Sequence, residues 1–260
     1  MNFKISLAQL HIQAGDPDRN LQTAVEMVGR AAQNGSHFIL FPELWSTGYD
    51  LENGARLALK SPEILAELQR LARAHNLFVG GSLLESASRG LYNAFWWIDP
   101  AAPGMDVYRK IHLFRLMDEH RWLLPGNTLC SVPAPWGVTG LAICYDLRFP
   151  ELFRSYAVQG ASALALAAEW PSHRIAHWQT LLRGRAIENQ SFVFATNCVG
   201  PAFKDQFGGR SAVISPWGET LVEGSASEEE LLTAEIDTDQ VARVRGFLPV
   251  FQDRRPDLYS

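Results

Sequence analysis

Short apolar runs rich in β-branched and aromatic residues alternate with amphipathic segments along all 260 residues of the chain. The segment around Ile5 has the two-residue period of a strand. The next segment starts with Asp16 as a helix cap and Pro17 at the first helical position, and an apolar stripe follows. This alternation, which continues to the last predicted strand at Leu231 to Ile236, indicates a layered α/β protein.

The number of predicted strands limits how they can be arranged. We count roughly ten or more strands, and more than about ten rarely remain in one open twisted sheet. The sequence therefore predicts two sheets packed face to face, with helices on the outer faces. Because no linker rich in Pro, Gly or Ser divides the chain, we expect a single domain over residues 1–260.

Composition and charge exclude several classes of protein. The 47% hydrophobic and 20% charged residues are typical of an ordinary globular protein. A net charge of −5, with no long basic run, disfavours a nucleic-acid partner. The sequence contains no apolar stretch long enough for a membrane span, and its N-terminus does not resemble a signal peptide, so we expect no membrane partner and a cytoplasmic location.

The cysteines and histidines suggest one nucleophile and no metal centre. Cys130, Cys144 and Cys198 form no CxxC pair, which fits reduced thiols. Cys144 ends an apolar run shortly before a predicted helix, a position that favours a reactive thiol; a small buried apolar cysteine is the alternative. His173 and His177 have helical spacing, but the sequence offers no third ligand, so we expect no metal.

Two further predicted strands end in charged residues. Glu43 follows the apolar run that ends at Phe41 and Pro42, and Lys110 follows a short strand. Each alone is typical of a solvated surface charge. A carboxylate base, an ammonium group and a thiol together are the groups needed to attack an unactivated carbonyl.

Three segments resemble the catalytic blocks of the carbon–nitrogen hydrolase (nitrilase) superfamily: Phe41 to Glu43, Tyr108 to Phe114 and Cys144 to Glu151. Further similarity covers Arg185 to Gln190, Gly209 to Gly218 and Arg254 to Tyr259. The segments occur in the family's order and span almost the whole chain.

The resemblance implies a catalytic triad of Glu43, Lys110 and Cys144, with Glu119 as a second active-site carboxylate and no cofactor. Glu43 is expected to act as the base and Cys144 as the nucleophile that forms a thioester. The Lys110 ammonium and the backbone N–H of Tyr145 are expected to stabilise the oxyanion.

The resemblance also implies a fold and an assembly. Members of this superfamily form a four-layer α-β-β-α sandwich with two mixed sheets. We therefore expect this fold, and a homodimer in which the C-terminal tail, about 246–260, contacts the partner subunit.

The residues after the nucleophile, Tyr145 to Arg148, are similar to those of the small amidases, including ω-amidases. This similarity favours an amidase that hydrolyses a small carboxamide, such as a dicarboxylic acid monoamide. An N-carbamoyl amino acid amidohydrolase and a nitrilase are the alternatives within the superfamily. Two alternatives belong to other functional classes: a catalytically idle member that acts as a binding protein, and a thiol redox protein.

Several residues could line the substrate pocket. Aromatic side chains that could form its wall are Trp170, Tyr49, Phe114 and Phe203, although each could equally belong to the core. Arg148 could bind a substrate carboxylate, or instead pair with Asp146 or Glu151.

Overall fold

The computed structural model describes residues 1–202 and 205–259. Its fourteen described strands are β1 (Asn2–Gln9), β2 (Phe38–Leu40), β3 (Phe78–Ala87), β4 (Gly90–Ile98), β5 (Asp106–Arg109), β6 (Ser131–Val132), β7 (Thr139–Ile143), β8 (Ala163–Ala167), β9 (Phe192–Thr196), β10 (Val199–Ala202), β11 (Asp205–Gly208), β12 (Ala212–Ile214), β13 (Thr220–Glu223) and β14 (Glu230–Asp237). The seven α-helices in the same ranges are α1 (Pro17–Gln33), α2 (Gly54–Leu57), α3 (Ser61–His75), α4 (Glu119–Trp122), α5 (Pro150–Val158), α6 (Ile175–Asn189) and α7 (Asp239–Phe247).

Twelve of these strands form two six-stranded mixed sheets. The first sheet has the order β14-β1-β2-β3-β4-β5, and the second has the order β13-β12-β9-β8-β7-β6. In each sheet three neighbouring strands run parallel, β1 to β3 in the first and β7 to β9 in the second, and antiparallel strands flank them. Strands β10 and β11 form a separate hairpin.

The two sheets pack face to face. Phe38 and Leu40 of β2 and Trp97 of β4 share one apolar core with Ile143 of β7 and Phe194 of β9. Helices α1 and α3 cover the outer face of the first sheet, where their apolar stripes form a second core with β1 and β3. Helices α5 and α6 pack on the second sheet. The predicted α-β-β-α sandwich is thereby confirmed.

Helix α5 approaches its sheet closely because β7 carries a glycine beneath it. A Cβ atom on Gly140 would lie only 2.6 Å from the Tyr156 ring. The Tyr156 hydroxyl donates to the Leu141 carbonyl (2.8 Å), which fixes α5 against β7 just before Cys144.

Helix α7 continues to Phe247, and bends and turns follow it over residues 248–258. The predicted tail, about 246–260, therefore begins at the end of α7, and its contact with a partner subunit stays a prediction. None of the helices in the described ranges combines the length and apolar character needed to cross a membrane.

Candidate active site

Cys144 lies at a sharp turn between β7 and a 3₁₀ helix that spans Cys144–Arg148. Its φ angle is 44°, in the left-handed region that non-glycine residues seldom adopt, and the side chain is only 5% exposed. Strain of this kind persists where the surroundings hold it in place. The turn leaves the backbone N–H of Tyr145 in the first turn of a helix, where no intrahelical carbonyl accepts it.

Asp146 holds this turn in its strained shape. Its Oδ2 atom accepts hydrogen bonds from the backbone N–H of Ile143 (2.9 Å) and from the Tyr108 hydroxyl (2.8 Å). Its Oδ1 atom accepts from the backbone N–H of His112 (3.1 Å). One buried carboxylate therefore ties the turn at Cys144 to the segment that carries Lys110.

Lys110 bridges the two predicted catalytic carboxylates. Its Nζ atom donates to Glu43 Oε1 (2.7 Å) and to Glu119 Oε1 (2.6 Å), and all three side chains are fully buried. Glu43 follows β2 and Lys110 follows β5, so the ends of two strands of the first sheet deliver this pair. The structure thus brings together the charged residues that the sequence singled out.

Glu43 is fixed by further contacts on each of its oxygens. Oε1 also accepts from Asn93 Nδ2 (2.8 Å), and Oε2 accepts from the backbone N–H of Glu169 (3.0 Å). The Glu169 carbonyl lies 3.8 Å from Cys144 Sγ and accepts from the thiol. The Glu43 carboxylate and the Cys144 thiol therefore contact the same peptide segment after β8.

Glu119 begins the short helix α4 and faces Lys110 from the other side. The Tyr49 hydroxyl donates to its Oε1 atom (2.6 Å), and the backbone N–H of Phe114 donates to its Oε2 atom (2.6 Å). Tyr49 was predicted as a pocket wall. It is not among the residues that line the cavity beside Cys144 described below, and its hydroxyl instead holds Glu119.

The charges in the site strongly influence its titration. Burial, followed by the charge of Glu43, raises the pKa of the Cys144 thiol well above its usual value, and Lys110 opposes this rise. Burial by itself lowers the pKa of Lys110, but the charges of Glu119 and Glu43 more than offset it, so the pKa is raised. Burial also raises the pKa of Glu119, against the charge of Lys110. These directions favour a neutral Cys144 thiol and a charged Lys110 ammonium.

Comparison with known proteins places this cluster in a family. The family model described as carbon-nitrogen hydrolase matches residues 4–246. The chain belongs to the carbon–nitrogen hydrolase family. This result confirms the predicted superfamily and enzyme class.

Relatives of this carbon–nitrogen hydrolase include named amidases. A 2-oxoglutaramate amidase of Bacillus subtilis is 40% identical over 100% of both chains. The human omega-amidase NIT2 is 32% identical over 100% of this chain and 97% of its own. Among solved structures, XC1258 from Xanthomonas campestris, a CN-hydrolase superfamily protein with an arsenic adduct in the active site, superimposes with a TM-score of 0.92 at 29% identity, covering 98% of each chain.

In this carbon–nitrogen hydrolase a narrow cavity opens beside Cys144. It is lined by Phe114, Cys144, Tyr145, Arg148, Glu169, Trp170, Pro171 and Arg174. Three of the predicted substrate-binding residues, Trp170, Phe114 and Arg148, are thus in one place. Phe203, the remaining aromatic candidate, lies outside the described residues.

Arg148 does not form the predicted alternative ion pair. Within the described ranges, the structure pairs it with neither Asp146 nor Glu151, because Asp146 is engaged at the Cys144 turn. Its guanidinium group instead lies 4.8 Å from the centre of the Trp170 ring, with Nη2 3.3 Å from His177 Nδ1. The Arg174 guanidinium group likewise lies 5.2 Å from the centre of the Phe114 ring. Two cationic groups therefore flank the cavity.

Sequence reasoning missed several residues that shape the site. Ser82 Oγ donates to Asn93 Oδ1 (2.8 Å) and so orients the Asn93 amide toward Glu43. The one signal for Asn93 was a polar residue inside the apolar run of β4. Arg174 and Glu169 were also not singled out as site residues.

In residues 1–202 and 205–259, no three His, Cys, Asp or Glu side chains are grouped as metal ligands.

Proposed function

We propose that this protein is an amidase that hydrolyses the terminal carboxamide of a small dicarboxylic acid monoamide, releasing the acid and ammonia. The observation that carries this proposal is the buried cluster of Glu43, Lys110 and Glu119, whose charges act on Cys144, together with a cavity that Cys144 lines and two arginines flank. The relatives named 2-oxoglutaramate amidase and omega-amidase support the same substrate class.

The proposed acylation step uses the three triad residues in turn. Glu43 accepts the thiol proton while Cys144 Sγ attacks the amide carbon, so that a C–S bond forms and the carbonyl oxygen becomes an oxyanion. The Lys110 ammonium and the Tyr145 N–H stabilise that charge. The tetrahedral intermediate collapses, the C–N bond breaks, and Glu43 returns its proton to the leaving nitrogen, which departs as ammonia.

Deacylation follows the same steps in reverse, with water in place of ammonia. Glu43 removes a proton from a water molecule, whose oxygen attacks the thioester carbon. The C–S bond then breaks, the acid leaves, and Glu43 returns the proton to Cys144. The same carboxylate therefore acts as base and as acid in both half-reactions.

Glu119 is assigned a positioning role. It shares Lys110 with Glu43 and is held by Tyr49 and by the Phe114 backbone, so it fixes the ammonium where the oxyanion forms. Without Glu119, Lys110 would lose one of the two carboxylates that keep it charged in a fully buried position.

The two arginines account for the acid end of the substrate. Guanidinium groups bind carboxylates with charge-assisted hydrogen bonds, and Arg148 and Arg174 line the cavity that contains the thiol. A monoamide of a short dicarboxylic acid can present its amide to Cys144 and its carboxylate to the arginines at the same time.

A panel of acyl compounds with ammonia release as readout tests the function. We expect dicarboxylic monoamides to be hydrolysed with a kcat/KM at least tenfold above that of an uncharged amide of equal length, because only they engage the arginines. The corresponding nitrile and N-carbamoyl amino acids should be poorer substrates. Cys130→Ala should retain activity, whereas Cys144→Ala should have none.

Faster turnover of the nitrile or of an N-carbamoyl amino acid would assign the protein to another branch of the family. Absence of turnover throughout the panel would support the idle binding protein. Equal rates on charged and uncharged amides would contradict the roles of Arg148 and Arg174.

We also propose a homodimer in the cytoplasm. The support for a dimer is a tail patch of exposed apolar side chains, Ile187, Trp217, Phe247 and Leu248, in which the rings of Trp217 and Phe247 are in edge contact at 5.9 Å. An apolar surface of this kind is typical of a protein–protein interface. The three unpaired cysteines support a reducing compartment.

A further inference from the structure

The Glu169 side chain is a buried acid that nothing in the structure explains. It follows β8 and is 1% exposed, and both carboxyl oxygens lack a hydrogen-bond partner among the described residues. A buried polar group without a partner destabilises the fold, and an unpaired charge does so more strongly. The proposed steps at Cys144 do not use this side chain.

The position of Glu169 is tightly defined. Its own N–H and carbonyl contact Glu43 and Cys144, as described above. Asn197 fixes the backbone of the next residue, Trp170. Its Oδ1 accepts from the Trp170 N–H (2.6 Å), and its Nδ2 donates to the Trp170 carbonyl (3.1 Å). Glu169 therefore lines the cavity from a rigid segment beside both the thiol and the base.

The charges around Glu169 indicate the protonation state of its carboxyl group. Glu43, Glu119 and Glu169 supply three buried carboxyl groups, and Lys110 donates its hydrogen bonds to the first two. Burial, followed by the charge of Glu43, raises the pKa of Glu169 well above its usual value, and Lys110 only partly opposes this rise. A neutral carboxylic acid offers one O–H donor, which a carboxylate lacks.

We infer that Glu169 is a specificity-determining residue whose carboxyl O–H donates a hydrogen bond to an oxo oxygen on the acyl chain of the substrate. This inference rests on the proposed function, because an acyl chain held between Cys144 and the two arginines must cross the cavity that Glu169 lines. An oxo group beside the carboxylate supplies the missing acceptor. A methylene group at that carbon offers no acceptor, so the acid stays unpaired. An ammonium group there is itself a hydrogen-bond donor, so it cannot accept from the carboxyl O–H.

Three five-carbon monoamides that differ only at carbon 2 test this inference: 2-oxoglutaramate, glutaramate and glutamine. We expect the wild-type kcat/KM for 2-oxoglutaramate to exceed that for glutaramate by about 10- to 100-fold, the size of one buried hydrogen bond. Glu169→Ala should reduce this ratio below about threefold through loss on the oxo substrate alone. Glu169→Gln, which retains an N–H donor, should keep a clear preference.

The control variant is Glu63→Gln, an exposed carboxylate on α3, which should leave all three rates unchanged. The thermal midpoint of Glu169→Ala should be no lower than that of the wild type, because an unpaired acid is removed. If that variant does not fold, the Glu169→Gln comparison decides, and loss of the preference there contradicts the inference.

The other outcomes separate this inference from the proposed function. Equal losses on 2-oxoglutaramate and glutaramate in Glu169→Ala would give the residue a structural role instead. A wild-type preference for glutamine would show that Glu169 binds as a carboxylate. Both results leave the amidase intact and overturn the inference, whereas a wild type that hydrolyses none of the three monoamides overturns the proposed function and the inference with it.

Discussion

At the residue scale, the surroundings of Cys144 favour a neutral thiol before substrate binds. Cys144 is buried beside Glu43, and both burial and that carboxylate disfavour the thiolate. Lys110 is the compensating cation, and it also holds Glu43 and Glu119 in place. Removal of one partner from a buried ion cluster leaves an unpaired charge and typically costs about 3–5 kcal/mol of stability.

The pH dependence of Cys144 alkylation tests this charge balance. In a Cys130→Ala, Cys198→Ala background, we expect the rate of reaction with iodoacetamide, followed by intact mass, to reach half its maximum above pH 9, because the thiol pKa is raised from an ordinary value of 9.0. Glu43→Gln removes a charge that raises this pKa, so its midpoint should move to lower pH. Lys110→Met removes the opposing charge, so its midpoint should move to higher pH.

Both directions follow from the charges that act on the thiol. A wild-type midpoint below pH 8 would show that the resting enzyme holds a thiolate. A midpoint that rises in Glu43→Gln would show that Glu43 does not face the thiol as a carboxylate.

At the scale of secondary-structure elements, the sequence predicts the strands whose ends carry the site. Residues after β2, β5 and β7 could be identified because each follows a predicted strand, and a charged or nucleophilic residue at such a point stands out. The family resemblance then assigned Glu119, which periodicity alone would not have singled out. The catalytic roles of these residues stay predictions until they are measured.

Other elements could not be predicted because tertiary contacts create them. Helix α4 has only four residues and begins after Asp118, whose φ of 57° lies in the left-handed region. The 3₁₀ helix after Cys144 depends on Asp146, which Tyr108 holds from the opposite sheet. The acid at Glu169 follows β8 just as Glu43 follows β2, but no pattern in the sequence shows that its oxygens are unpaired.

At the scale of the whole molecule, the sandwich brings strand ends of its two sheets together. Glu43 and Lys110 come from the first sheet, Cys144 and Glu169 come from the second, and the hydrogen bond from the Glu169 N–H to Glu43 joins them. The tail patch lies elsewhere, on α6, α7 and the turn between β12 and β13. We expect assembly and catalysis to be separable for this reason.

Sedimentation velocity tests the proposed dimer. The wild type should sediment as two chains of 29.0 kDa each. Phe247→Asp places a charge on a side chain that is 78% exposed and should shift the protein toward the monomer, because an unpaired charge in an apolar interface is costly. Leu59→Asp, an equally exposed apolar residue beside α3, is the matched control and should remain dimeric. A monomeric wild type, or a Phe247→Asp variant as dimeric as the control, would contradict the proposal.

The central claim is that Cys144 forms a thioester and that Glu43, rather than Glu119, moves the proton. Single-turnover reactions with 2-oxoglutaramate, quenched in acid and followed by intact mass, measure acyl-enzyme formation directly. We predict an acyl adduct on Cys144 in the wild type, slower formation in Glu119→Gln, and essentially none in Glu43→Gln, whose amide cannot accept the thiol proton. Rapid accumulation of acyl-enzyme in Glu43→Gln would show that another group is the base, and turnover by Cys144→Ala would contradict the covalent mechanism itself.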